Sequence, residues 1–112
     1  MRIYKFGGAS VKDADGVKNL IIILNYLGSE KTLIVVSAMG KTTNSLELVV
    51  KNYFENKEEL QYSLNEVFNF HNKILEGLFS DNKEPIFSDI QQVFENLRIF
   101  LKRNKSPDYS FV

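Results

Sequence analysis

The sequence predicts an α/β fold: a βαβ unit with parallel strands, followed by a long helical hairpin. Three observations carry this. A short apolar strand at 2–6 leads through a glycine pair and a helix to a second, β-branched strand, all within the first 44 residues. From residue 43 onward the apolar residues recur at helical spacing. All six glycines lie at or before position 77.

The elements follow in order. Residues 2–6 form the first strand, and Gly7–Val11 the loop after it. Asp13 or Asp15 caps a helix that runs to about Leu27, with Gly28 as its stop. Val17, Leu20, Ile21, Leu24 and Leu27 share one face of that helix. Ile22 and Ile23 widen the apolar surface, so burial on more than one side is expected. Thr32–Ala38 is continuous, apolar and β-branched, as a central parallel strand covered on both faces would be.

The helical part carries three stripes. Leu46, Val49, Val50, Tyr53 and Phe54 form the first. Leu60, Leu64, Val67, Phe68, His71, Ile74, Leu75, Leu78 and Phe79 form the second. Ile86, Ile90, Val93, Phe94, Leu97, Phe100 and Leu101 form the third. The turn at 80–85 ends in Pro85, a residue suited to a helix start. The two long helices flanking it should pack antiparallel. Tyr109-Ser110-Phe111-Val112 looks like the opening of another element, so the chain is expected to be cut within a larger α/β domain.

Composition narrows the function classes. At 112 residues, 44% hydrophobic and 25% charged, the chain is one globular domain or less. Zero formal net charge gives no argument for a nucleic acid or membrane partner. Residues 1–44 hold six Lys/Arg and three Asp/Glu, while 45–112 hold eight and eleven. The basic excess therefore sits with the glycine loop. The absence of cysteine removes disulfide and thiolate chemistry, and a single histidine argues against structural zinc. The start of the chain does not resemble a signal peptide. The run Leu20–Leu24 is too short to span a bilayer, and a cytoplasmic location is expected.

Two loops stand out as ligand sites. Lys5-Phe6-Gly7-Gly8-Ala9-Ser10-Val11 places a lysine and two Cβ-free residues between strand and helix. Such backbone N–H groups approach phosphate oxygens closely, and lysine adds a compact charge. A surface lysine beside an ordinary glycine turn is the plainer alternative. Ser37-Ala38-Met39-Gly40-Lys41-Thr42-Thr43-Asn44 ends the second strand. Gly40-Lys41-Thr42 imitates a P-loop, but the required first glycine is Val35. What remains is a polar loop at the carboxyl end of a parallel strand, where open α/β sheets bind ligands. Thr43 and Asn44 also fit as caps of the next helix. His71, on an apolar stripe, reads as a packed, hydrogen-bonded residue. Glu58 and Glu59 read as solvent-facing, and the phenylalanines at 54–100 as core.

Together the two loops resemble aspartate kinase, of the amino acid kinase family. That family's usual wording is KFGGTSV, then a strand ending in serine-alanine, then a loop ending in Thr-Asn. The resemblance implies a partial amino acid kinase-like fold, with 1–112 the amino-terminal part of one catalytic domain. Residues 1–44 would be its βαβ unit and 45–112 its helical part; regulatory ACT domains would be absent. The implied reaction moves the γ-phosphoryl of ATP to the side-chain carboxylate of L-aspartate, opening the route to lysine, threonine, methionine and isoleucine. Lys5 would be catalytic. Lys5, Phe6, Gly7, Gly8, Ser10 and Ser37 would hold ATP phosphates, and Thr43 would bind aspartate. Magnesium would arrive with ATP, without dedicated protein ligands, and the parent would be a homo-oligomer. Ala9 departs from the family's threonine, and Lys41 from a small or apolar residue. Other implied active-site residues lie beyond Val112, so the isolated chain is expected to be inactive. Two alternatives stand beside this: an amino acid kinase with another acceptor, and a non-catalytic α/β interaction module.

Overall fold

A computed structural model describes residues 1–28 and 31–103. The element expected at 109–112 lies outside them. The chain divides into two compact units, Met1–Thr43 and Asn44–Val112.

The first unit is a βαβ arrangement. Strand β1 (Arg2–Phe6) pairs in parallel with β2 (Thr32–Val36), Arg2 opposite Thr32 and Phe6 opposite Val36. Between them lie a 3-10 turn at Gly8–Val11 and helix α1 (Ala14–Leu27). Asp13 caps α1, its Oδ1 accepting the Gly16 N–H at 2.8 Å. The helix stops at Gly28, which adopts φ 76°.

Two expectations fail here. No residue of α1 is buried, and Leu33, Ile34, Val35 and Val36 of β2 are 40–50% exposed. A sheet buries its faces only under a second layer. The described sheet has two strands, and β2 leaves the side chains of Leu33 to Val36 on both of its faces exposed. The apolar run therefore specifies the strand without being covered. β2 also ends at Val36 rather than Ala38, because the chain turns away to form the loop described below.

The second unit is helical: α2 (Thr42–Glu55, its first two residues in the first unit), α3 (Lys57–Leu78) and α4 (Pro85–Arg103). Its core joins Val49 and Tyr53 of α2, Leu60, Leu64 and Val67 of α3, and Phe94 and Leu101 of α4. So α2 packs with the expected pair, and the unit is a three-helix cluster. Contacts between α3 and α4 run in opposite senses along the two helices. Phe79, just beyond α3, meets Phe87 with ring centroids 6.3 Å apart. Phe68 meets Phe94 at 5.3 Å, and Arg98 Nη2 donates to Asn65 Oδ1 at 2.9 Å. This order is that of an antiparallel hairpin.

Most of the three stripes are buried or half-buried. Val93 is the clearest exception at 59% exposure. It precedes buried Phe94, and one residue is about 100° of helical rotation, enough to leave the face. Leu46, Phe79 and Phe100 are also exposed. His71 is half-buried, its Nδ1 donating to the Val67 carbonyl 2.8 Å away in its own helix. The partner comes from the preceding turn, not from across the hairpin.

Leu64 is fully buried at the centre of this cluster. Leu64→Ala should lower the unfolding free energy by about 3 kcal/mol, read from the urea midpoint at unchanged slope.

Candidate functional site

The carboxyl ends of β1 and β2 carry the two loops, and backbone hydrogen bonds join them. The Ser37 N–H donates to the Phe6 carbonyl at 2.9 Å, continuing the ladder one step past β2. Beyond it, the Gly40 N–H donates to the Gly8 carbonyl at 3.1 Å. Both loops therefore belong to one backbone framework.

Gly8 is required by this closeness. A Cβ there would lie 2.7 Å from the Gly40 carbonyl oxygen and 3.3 Å from that of Ala38. Gly40 contributes the complementary bend, with φ 57°. Gly7 differs: no atom lies within 4 Å of where its Cβ would stand. That open side leaves room beside the Gly7 backbone. Gly8 thus holds the loops together, and Gly7 leaves space next to them.

Side chains divide along β1 by the alternation of a strand. Phe6 is buried, so its ring is part of the packing and only its backbone is at the loop. Lys5, on the opposite face, is exposed and sits in register with Val35. Val11 is 1% exposed and anchors the far end of the 3-10 turn. Ser10 is exposed, and its N–H donates to the Gly7 carbonyl at 3.0 Å. Ser37 is exposed, its Oγ donating to the Ala38 carbonyl at 3.0 Å.

The start of α2 gives this framework its polarity. Thr42 is buried, and its hydroxyl and N–H both donate to the Met39 carbonyl. The helix begins there, so Thr43 stands inside the first turn, exposed, and is not the cap. No acidic residue occupies the first turn of α2. The first turn of α1, in contrast, has the Asp13 carboxylate on the Gly16 N–H and Asp15 beside it. The positive helix end at Thr42 and Thr43 is thus the one left without a carboxylate.

Lys5, Gly7, Gly8, Ser37 and Thr43 therefore belong to one unit, on or next to two joined loops. Thr42 stood out in the sequence only within the rejected Gly40-Lys41-Thr42 pattern and the loop around it, and Gly16 did not stand out. A Cβ at Gly16 would collide with the Ser10 carbonyl, so that glycine lets α1 approach the turn. Its nearness to Asp13 in a cap pattern was the available signal. Among the described residues, no three His, Cys, Asp or Glu side chains group to hold a metal.

Comparison with known proteins finds two relatives of part of this chain. A stretch of 44 residues, 39% of the chain, is 46% identical to Aspartokinase 2, chloroplastic, of Arabidopsis thaliana. A stretch of 46 residues is 46% identical to Aspartokinase 1, chloroplastic, of the same plant. This stretch is aspartate kinase-like. The aspartate kinase match covers 8% of each relative's length, so the chain spans a small part of either protein. No family model matches the chain. By name both aspartate kinase relatives are chloroplast proteins. Among the described residues, no helix is long and apolar enough to cross a membrane.

The separate tasks of the two glycines are testable. Gly8→Ala should speed hydrogen exchange at the Gly40 amide at least about fivefold, as expected for losing one backbone hydrogen bond of about 1 kcal/mol. Gly7→Ala should leave that amide unchanged.

Proposed function

We propose that this chain contributes the Lys5 loop and the Ser37–Thr43 loop to an aspartate kinase with an amino acid kinase fold. The observation that carries the reading is the Gly40-to-Gly8 hydrogen bond, which joins two anion-suited loops at one sheet edge. The identity to two aspartokinases supports it independently. The acceptor, the nucleotide and a cytoplasmic setting all belong to the proposal.

In this reading the γ-phosphoryl of ATP leaves its bridging oxygen, giving ADP. It joins a side-chain carboxylate oxygen of L-aspartate, giving 4-phospho-L-aspartate. The acceptor is already ionised at neutral pH, so no base at these loops is needed. What the chain must supply is position and positive potential. Lys5 supplies charge for the transferring phosphoryl. The Gly7 backbone, with its open side, lies against phosphate oxygens, and Gly8 holds the loop that presents it. Ser10 and Ser37 line the phosphate side, and Phe6 contributes backbone alone. Thr43, on the acid-free helix end, meets the aspartate carboxylate. Magnesium accompanies the nucleotide phosphates and neutralises part of their charge. A homo-oligomeric parent is part of the same proposal, as is the absence of nucleic acid and membrane partners.

The direct test is an assay of the full-length protein with MgATP and L-aspartate, trapping the acyl phosphate with hydroxylamine. Aspartyl hydroxamate should form only when both substrates are present; ATP turnover indifferent to aspartate would refute the acceptor. The 112-residue chain alone should give none. Lys5→Ala in the full-length protein should lower kcat by about 100- to 1,000-fold, with a smaller change in the KM for ATP. An unchanged kcat would remove Lys5 from the chemistry.

A further inference from the structure

The loop between β2 and α2 carries a lysine with no task in the phosphoryl-transfer reading. Lys41 is exposed, and its ammonium forms no ion pair or hydrogen bond with any described residue. Its backbone, in contrast, is held from both sides. The N–H of Gly40, just before it, donates to the Gly8 carbonyl at 3.1 Å. The N–H of Thr42, just after it, donates to the Met39 carbonyl at 3.1 Å. A fixed backbone under an unpaired side chain presents a charge that the local structure does not use.

Helix energetics do not explain this lysine. Lys41 immediately precedes α2, at the position where Ser, Thr, Asp or Asn stabilises a helix. A positive charge there opposes the helix dipole. No acidic residue in the first turn offsets it, and the first one in α2 is Glu47, more than a turn along. A residue that works against its own helix is expected where function sets the choice.

The neighbouring groups indicate that function. Gly40 ties this loop to the Lys5–Val11 loop, so Lys41 follows the Gly8 contact by one residue. Lys5 likewise has an exposed ammonium without an ion pair among the described residues. Lys12, Lys18 and Lys31 of the same unit lie outside the two loops. A lysine stem is long and flexible, and its head is a point charge suited to phosphate. A nucleoside triphosphate spreads several negative charges along its chain, more than one lysine neutralises.

We propose that Lys41 is a second cationic contact for the nucleotide, binding a non-transferring phosphate while Lys5 serves the transferring one. The inference rests on the phosphate-binding reading of these two loops. A contact to a phosphate that stays behind is made alike in the ground and transition states, so it governs affinity.

The test is MgADP binding by the full-length protein, read by isothermal titration calorimetry. Lys41→Met should raise the Kd at least about fivefold, as for losing one charge-assisted contact. Lys41→Arg should restore most of the affinity. Lys18→Met, which removes a charge from α1, should leave the Kd unchanged. Because Lys41→Met removes a charge that opposes α2, its melting temperature should not fall, which separates lost binding from lost folding. In turnover, the KM for ATP should rise more than that for aspartate. The titration needs no acceptor. A protein that makes no aspartyl hydroxamate, yet loses MgADP affinity in Lys41→Met, would sink the aspartate acceptor and uphold Lys41. An unchanged Kd in Lys41→Met, an equal loss in Lys18→Met, or a loss felt by aspartate alone would each overturn the proposal.

Discussion

The hydrogen bond from Gly40 to Gly8 is the contact on which the candidate site depends. Strand pairing brings β1 and β2 together, but it ends at Val36. Past that point nothing in a parallel ladder requires two loops to stay in contact. They do so here because Gly8 has no side chain to hold the Gly40 carbonyl away, and because Gly40 takes a positive φ. Ser37 contributes the step between ladder and loops through the Phe6 carbonyl. Lys5, the open side of Gly7 and the start of α2 are all carried by this framework. Shifting one loop would move each of them relative to the others.

Charge is distributed in keeping with that geometry. The α1 end is satisfied internally, by a carboxylate on its first-turn N–H group. The α2 end carries threonines instead, one buried and turned back on Met39, the next exposed. An anion arriving at the loops therefore meets less competition at α2 than at α1. The glycine pair alone would have directed attention to α1, as in dinucleotide-binding folds. The structure shifts it to the second helix.

Local signals in the sequence were read successfully. Asp13 before an apolar run, Gly28 after it, and Pro85 after a polar turn each fix a boundary through their own backbone chemistry. The helical stripes located the core of the second unit, because period 3.6 is a property of a short window. The failures share a different cause. Gly8 and Gly16 are glycines because of atoms elsewhere in the chain, those of Gly40 and Ala38 in one case and Ser10 in the other. Thr42 and Thr43 are chemically alike, and only the position of the Met39 carbonyl distinguishes them. The apolar run at Leu33–Val36 correctly signalled a strand, but it could not report whether a layer covers it.

The register of the sheet also bears on the order in which the molecule assembles. Every rung joins residues thirty apart, as Arg2 does with Thr32 and Phe6 with Val36. Closing such a loop costs entropy at the outset, and each later rung is cheap by comparison. The helical unit has no comparable debt across α2 and α3, whose contacts join neighbouring turns and helices one residue apart in the chain. Local contacts form faster than distant ones. The helices should consolidate before the two loops, whose shape waits on the pairing of β1 with β2.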